Sequence, residues 1–459
     1  MVETSNVGSR IANWIVGLDG QTLSGAVVEK LKLAALDTFA AILSGVNEDV
    51  VRRVISYASG TGEGNASIIG HSARASLTGA ALINGTMGHA CDYDDSSWTM
   101  WGHPTAPVLP AVLAVAENRN LSGMEFLTGL AVGLEIEKTL GLGCQPEHYL
   151  RGYHPTGSLG IFGAAAGAAK LLGLCSEHVL MALGLSASRA AGLRVNSGTM
   201  TKPLHVGFAA RDGVEAALLA ELGVTASPAA IDGPCGFFDV CAPDHKEIEW
   251  ITDHLGHPFE VIDPGLSPKL YPSCSETHSA IDAILQMRAE GLRPSDVRRI
   301  RCGVTPAARS NLVYDNPKTP LQAKFSQTYC VAAPLVRGAL GLAEFDPETV
   351  MDATIRDLMS RVEVEIHPDL SGSDSVAFSS PAIVEVDTAD GRTLRKLVRE
   401  MRGHPKNPLA PSDIEAKFIE CGDRVLPKSN VRSALAKIQT LDRLNSVNEL
   451  LDDLRAMAT

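Results

Sequence analysis

The chain has 459 residues, 45% hydrophobic and 20% charged, with 40 Lys plus Arg against 53 Asp plus Glu and a formal charge of −13. That balance excludes a chain unfolded as a whole, and the length allows roughly two to three domain-sized units. The acidic excess argues against a broad electropositive footprint for nucleic acid, so a small anion would need a local cationic pocket.

The segment MVETSNVGSRIANWIVGL at the start lacks the basic, apolar and small-residue order of a secretory signal, and no stretch approaches about 18 uninterrupted apolar residues. The expectation is a soluble cytoplasmic protein with no membrane span. Between Val27 and Val46, Val28, Leu31, Ala35, Phe39 and Ile42 recur at spacings of three and four, which predicts an amphipathic helix, with Gly45 placed to stop it. Ser122 and Glu125 form a capping box ahead of FLTGLAVGLEI, and GIFGAAAGAAKLLGL, from 160 to 174, offers small residues on which helices can approach closely. To about residue 260 the pattern is helical throughout.

Prolines and glycines interrupt it over 258–272, and then the period changes. Val297 to Val304, Val362 to Ile366, Ile383 to Val386 and Leu394 to Val398, with an Asp390-Gly391 turn, read as short strands. Helices are predicted between them, one from about Ser275 to Glu290 and one opening at Thr319-Pro320-Leu-Gln322. From about Ser412 to Met457 the helical pattern returns, placing the tail back on the first part. The nine cysteines, with no CxxC spacing, read as scattered reduced thiols.

Four polar groups could carry chemistry. His89-Ala-Cys-Asp92-Tyr-Asp94-Asp95-Ser96, followed by Gly102-His103-Pro104, puts three carboxylates and two imidazoles within fifteen residues, a composition for acid/base work or a hard metal, or else a helix cap with a solvated turn. No second acidic motif is present to complete a paired metal site. Arg151-Gly-Tyr-His154-Pro-Thr-Gly-Ser158 precedes the Gly/Ala helix, where backbone amides favour an anion; Tyr149 stands just ahead of it. Gly198-Thr-Met-Thr-Lys202-Pro-Leu-His205 repeats the turn-into-helix arrangement, and Lys202 could pair with a substrate carboxylate. Lys269-Leu-Tyr-Pro-Ser-Cys274 leads from the interrupted segment into a helix, and Tyr314 sits on a later loop; Cys274 lacks a local His-Asp partner that would make it a nucleophile. GxGxxG, GxxxxGK[ST], GxSxG and HExxH are all absent.

Taken together and in order, HACDYDDSSWTMWGHPTAPVLPA, GYHPTGSLGIFGAAAGAAKLLG, GTMTKPLHVGFAARDGVEAALLA, KLYPSCSETHSAIDA, QAKFSQTY and GHPKNPLAPSDIEAKF resemble the MmgE/PrpD family of 2-methylcitrate dehydratases, cis-aconitate decarboxylases and iminodisuccinate epimerases. The resemblance implies a mainly α protein: a large all-helical domain, residues 1–265 plus 405–459, with an inserted smaller α+β lid domain, 266–404, a cleft between them, and a homodimer. It also implies metal-free and cofactor-free chemistry on a small polycarboxylate. By motif, Asp92, His103, His154 and Lys202 fall on the family's polar cleft positions, Ser96 on a position often threonine, Tyr314 on a lid tyrosine and Lys269 on a basic position of the lid-side loop. Where the decarboxylase branch carries a histidine, this chain has Cys274, and the dehydratases run longer than this chain.

The expected activity is that of a hydro-lyase, in which a proton leaves the carbon next to a carboxylate. His154 or His103 would be the base, Lys202 and Lys269 would hold carboxylates, Asp92 would orient an imidazole or assist the leaving hydroxyl, and Tyr314 would close over the site. Ser96, Cys274, His205 and Tyr149 complete the expected substrate-binding set. The alternatives are an epimerase of an amino- or imino-dicarboxylate, a decarboxylase, and a non-catalytic binding protein.

Overall fold

The computed structural model describes residues 6–60, 62–244, 248–371 and 380–456. The predicted apolar stripe lies on α1 (Gly25–Gly45), where Val28, Leu31, Ala35, Phe39 and Ile42 are all buried and Ser24 Oγ caps the first turn by accepting from the Val27 amide. Gly45 does not stop this helix by a left-handed turn. A Cβ there would overlap the Met87 carbonyl of α2 (Leu77–Ala90), so the glycine sets how closely the two helices pack.

A long polar loop separates α2 from α3 (Thr105–Arg119). The capping box forms as expected at the head of α4 (Gly123–Cys144), Ser122 Oγ accepting from the Glu125 amide and Glu125 accepting from the Ser122 amide. Small residues then bring α4 against α5 (Gly160–Leu171): a Cβ at Gly133 would lie 2.8 Å from the Gly163 carbonyl oxygen, and one at Gly167 the same distance from that of Gly129. Next, α6 (Thr201–Glu221) packs along α2 and α5.

After the interrupted segment, α7 (Ser275–Ala289) leads into a four-stranded sheet, β1 (Val297–Val304), β2 (Val362–Ile366), β3 (Ala382–Thr388) and β4 (Thr393–Val398), in the order β2-β1-β3-β4. β1 runs parallel to β2, with Cys302 beside Val364, and antiparallel to β3, with Cys302 beside Val384. The parallel pair requires a long crossover, which the helices between residues 305 and 361 supply. Here the predicted helix at Thr319 is a single turn, Pro320–Ala323. Lys324 is drawn inward to the Pro272 carbonyl, and Ser326 caps a new helix, α8 (Gln327–Arg337).

The tail forms α9 (Pro411–Asp423), α10 (Lys428–Gln439) and α11 (Asn448–Leu454); Met457 lies outside the described residues. Ile414, Phe418, Val431 and Leu450 bury into the same core as α1, α2 and α3, so both chain ends build it. A second core surrounds α5 and α6, and a third is made of residues between Tyr271 and Val398. The two connections into this third region touch: a Cβ at Gly403 would overlap the Pro268 carbonyl oxygen. All nine cysteines are free thiols. Among the described residues no helix is long and apolar enough to cross a membrane.

Candidate active site

The loop between α2 and α3 carries the acidic run, and none of its three aspartates faces solvent: Asp92 is 3% exposed, Asp94 and Asp95 0%. Burial on this scale requires specific partners, and consecutive residues find different ones. Asp94 accepts from Nδ1 of His89, on the last turn of α2, at 2.7 Å. Asp95 accepts from the Thr105 amide and hydroxyl at the head of α3, at 3.3 and 2.5 Å. Asp92 takes the left-handed conformation, φ 53°, and so turns away from both.

Asp92 Oδ1 lies 2.9 Å from Lys202 Nζ and 3.0 Å from Lys269 Nζ, and Lys269 also donates to the Asp92 carbonyl at 2.9 Å. Burial alone would raise the Asp92 carboxyl, but the two ammonium groups hold it well below the usual carboxylate range. Lys202 Nζ donates a second bond to His89 Nε2 at 2.7 Å. Because an ammonium only donates, His89 Nε2 accepts and its proton sits on Nδ1, facing Asp94. Asp94, His89 and Asp92 therefore fix the ammonium on two sides and leave its third proton uncommitted.

His103 donates from Nδ1 to the Asp95 carbonyl at 2.8 Å, which places the lone pair of the neutral ring on Nε2, 3.9 Å from Asp92 Oδ1. Burial pushes this imidazole well below its ordinary value, despite the nearby Asp94 carboxylate. His154 stands at the head of a single helical turn, Pro155–Ser158, with Nδ1 3.1 Å from Nδ1 of His205. One of those two nitrogens must accept, so the pair holds at most one extra proton. Burial lowers both, His205 to about 4.

These groups open onto a single pocket at the meeting of the two parts of the chain. Asp92, His103, His154, Lys202, Tyr149 and Cys274 line it. Ser96, Lys269 and His205 stand behind that lining: Ser96 pairs with Ser267 through the backbone, and its hydroxyl lies 3.1 Å from Ser275 Oγ. Tyr314 lines the adjoining groove instead, its hydroxyl 3.4 Å from the Ser197 carbonyl. Burial, with Glu276 beside it, raises the Cys274 thiol well above its ordinary value, so it stays neutral.

Sequence reasoning did not single out Arg194, Glu276, Asn311 or Phe325, which also line the cavity. Glu276, 5% exposed, accepts from Asn311 Nδ2 at 3.0 Å and from Cys274 Sγ at 3.6 Å, and burial raises its carboxyl. Asn311 also bonds the Tyr149 hydroxyl at 2.5 Å. Only the CSET motif at the start of α7 could have hinted at Glu276.

His89, Asp92, Asp94 and His103 bring one ligand atom each within 4.8 Å, a spacing that could hold a metal ion. Their donor chemistry argues otherwise. Both nitrogens of His89 are engaged, and Asp92 Oδ1 already faces two ammonium groups, which a cation placed there would meet as like charges.

Residues 9–249 match the model of the MmgE/PrpD N-terminal domain, and residues 271–443 match that of the MmgE/PrpD C-terminal domain. The chain is 29% identical to the cis-aconitate decarboxylase of Homo sapiens, an alignment covering 97% of this chain and 94% of that protein. It is 27% identical to the cis-aconitate decarboxylase of Aspergillus terreus, over 98% and 96%. With the 2-methylcitrate dehydratase of Salmonella typhimurium it shares 26% identity over 62% of this chain and 61% of that one.

Proposed function

The chain belongs to the MmgE/PrpD family, and from that premise we propose that it is a lyase acting on a small di- or tricarboxylate, with dehydration as the main reading. The observation that carries this is Lys202: an ammonium locked by His89 and Asp92, beside two neutral imidazoles, in one cavity. Removing a proton from the carbon next to a carboxylate places negative charge on that carboxylate, and a prepositioned ammonium stabilises it without reorganising. His103 Nε2, with its lone pair set by the Asp95 carbonyl, takes the proton. The electron pair forms the C=C bond as the C–O bond breaks, and the hydroxyl leaves as water with a proton from the buried Glu276 carboxyl. No electrons are gained or lost, so the reaction needs no redox group.

Decarboxylation is the second reading, favoured by the nearly full-length alignments with decarboxylases. There the C–C bond to a carboxylate breaks, carbon dioxide leaves, and an imidazolium returns a proton to the carbon. Either reading takes residues 266–404 as the part that covers the cleft and the chain as a homodimer.

Proton NMR in heavy water, with methylcitrate, citrate, cis-aconitate and iminodisuccinate, tests this. New vinyl signals with every carboxyl retained are expected. Release of bicarbonate would select the decarboxylase, and deuterium entry without a new olefin the epimerase. Silence across the panel would overturn the reading.

A further inference from the structure

Arg194 is a guanidinium in the cavity wall with no carboxylate in an ion pair with it among the described residues. It opens the short 3₁₀ turn Arg194–Asn196, anchored on both sides: its amide donates to the Gly152 carbonyl at 3.0 Å, and its carbonyl accepts from the Ser197 amide and hydroxyl, both at 2.9 Å. Its guanidinium carbon sits 3.8 Å above the Tyr149 ring, and Asn311 tethers that ring in turn through its hydroxyl. Nε is buried with no hydrogen-bond partner, and among the described residues the side chain forms no ion pair. Nearby arginines are neutralised: Arg189 by Asp212 and Glu215, Arg151 by Glu147.

The one carboxyl in this part of the wall does not serve as its partner. Glu276 is hydrogen-bonded instead to Asn311 and Cys274, and burial raises its carboxyl even though the Arg194 charge pulls the other way from beyond ion-pair distance. A flat guanidinium, fixed by stacking and with its donors unmet, matches a carboxylate that arrives with the ligand and accepts two parallel bonds. Leaving such donors unfilled in a half-buried wall is unfavourable, and a carboxylate removes that penalty.

We propose that Arg194 is the anchor of a second carboxylate subsite, which binds the substrate carboxylate remote from the reacting carbon while Lys202 faces the one beside it. The ligand class is a molecule with carboxylates on different carbons, and a monocarboxylate leaves the subsite empty. Where turnover is concerned, this rests on the lyase reading above.

The test uses the full chain and its R194Q and R194K variants. Calorimetric titration with tricarballylate, a saturated tricarboxylate with no hydroxyl to lose, reads binding without chemistry. R194Q should weaken it by roughly 10- to 100-fold, R194K should recover part of the loss, and the monocarboxylate butyrate should bind wild type and R194Q alike. On any substrate the wild type turns over, KM should rise by a similar factor with kcat within about threefold, since the interaction is the same in ground and transition states. Equal tricarballylate affinity in wild type and R194Q would overturn the subsite. Loss of binding in R194Q, together with a wild type silent on the whole panel, would instead retain the subsite and overturn the lyase reading. If R194Q does not fold, R194K against wild type gives the same comparison: unchanged affinity for tricarballylate overturns the proposal.

Discussion

The cavity is closed by two seams between the helical part and the region after residue 266, and they are built differently. At the base, Lys269 is 0% exposed and gives two bonds to Asp92, while Lys417 gives three, to Asp37 Oδ1 at 2.7 Å and to the carbonyls of Tyr93 and Lys269 at 2.6 and 3.1 Å. At the mouth the contacts are neutral: Asn311 to the Tyr149 hydroxyl, and the Tyr314 hydroxyl to the Ser197 carbonyl at 3.4 Å. Exposed Leu193, Val195 and Val313 surround them. Breaking a buried ion pair is far more costly than breaking a partly buried neutral hydrogen bond, so the base fixes the position of the buried polar groups and the mouth is the weaker of the two seams.

The largest effect expected from this contrast is on activity at the base. His103→Asn keeps a donor for the Asp95 carbonyl but removes the basic nitrogen, so turnover should fall roughly 10²- to 10⁴-fold with stability nearly unchanged, as read by steady-state kinetics and thermal melts. Retention of full activity would move the base to His154. Next comes stability. Lys269→Met leaves the Asp92 carboxylate facing one ammonium instead of two, and unfolding in urea should show a loss of about 3 kcal/mol, the low end for a broken buried pair because Lys202 remains. A loss below about 1 kcal/mol would mean that the base seam does not hold the two parts.

The contrast also explains what the sequence could and could not reveal. The turn-into-helix motifs carrying His154 and Lys202 were legible because glycine, proline and helix starts are local signals, and the change of period near residue 270 marked the sheet. What the partners do was not legible. His89 and Lys202 meet across 113 positions, and Asp92 parts from Asp94 and Asp95 where it takes a left-handed turn. A run of four acidic and polar residues reads equally well as a solvated turn, and burial decides against that. Arg194 lies in a short turn between two exposed apolar residues, with no periodicity to point at the cavity. Lys269 and Tyr314, both expected at the substrate, are placed behind the lining and in the adjoining groove.

A smaller effect, on pH dependence, separates the paired base from the acid just beneath it. Asp95 has no cation of its own, and burial raises its carboxyl to about 8, against roughly 3.9 for an unfolded aspartate. Between those values only the folded chain keeps the proton, so stability falls as pH rises until about 8. The buried histidines, lowered by burial, act with the opposite sign and are still at half strength at about 6.5, where the unfolded imidazole is half-neutral. Across pH 6.5 to 8 the histidines and Glu260, raised to about 7, act alike in wild type and in an Asp95 variant, so the difference between the two reports Asp95. From pH 6.5 to 8 stability should change more favourably in Asp95→Asn than in wild type by on the order of 1–2 kcal/mol, measured by urea unfolding at both pH values. An unchanged slope would mean that Asp95 is ionised in the folded protein.

The smallest effect tests the mouth. With its hydroxyl on the Ser197 carbonyl, Tyr314 packs its ring against Gly198, where a Cβ would lie 2.5 Å from a ring carbon. Gly198 itself takes φ 81°, a conformation that side chains other than glycine rarely adopt, so this contact depends on the glycine twice over. Tyr314→Phe keeps the ring and removes one long, partly exposed hydrogen bond, worth roughly 0.5–1 kcal/mol. If the mouth is only a rim, kcat/KM should change less than about threefold and the melting temperature hardly at all. A loss of two orders of magnitude in kcat with unaltered stability would show that the phenol leaves Ser197 during turnover and donates inside the cavity. In that case the weak seam is weak because it must break and re-form in every cycle.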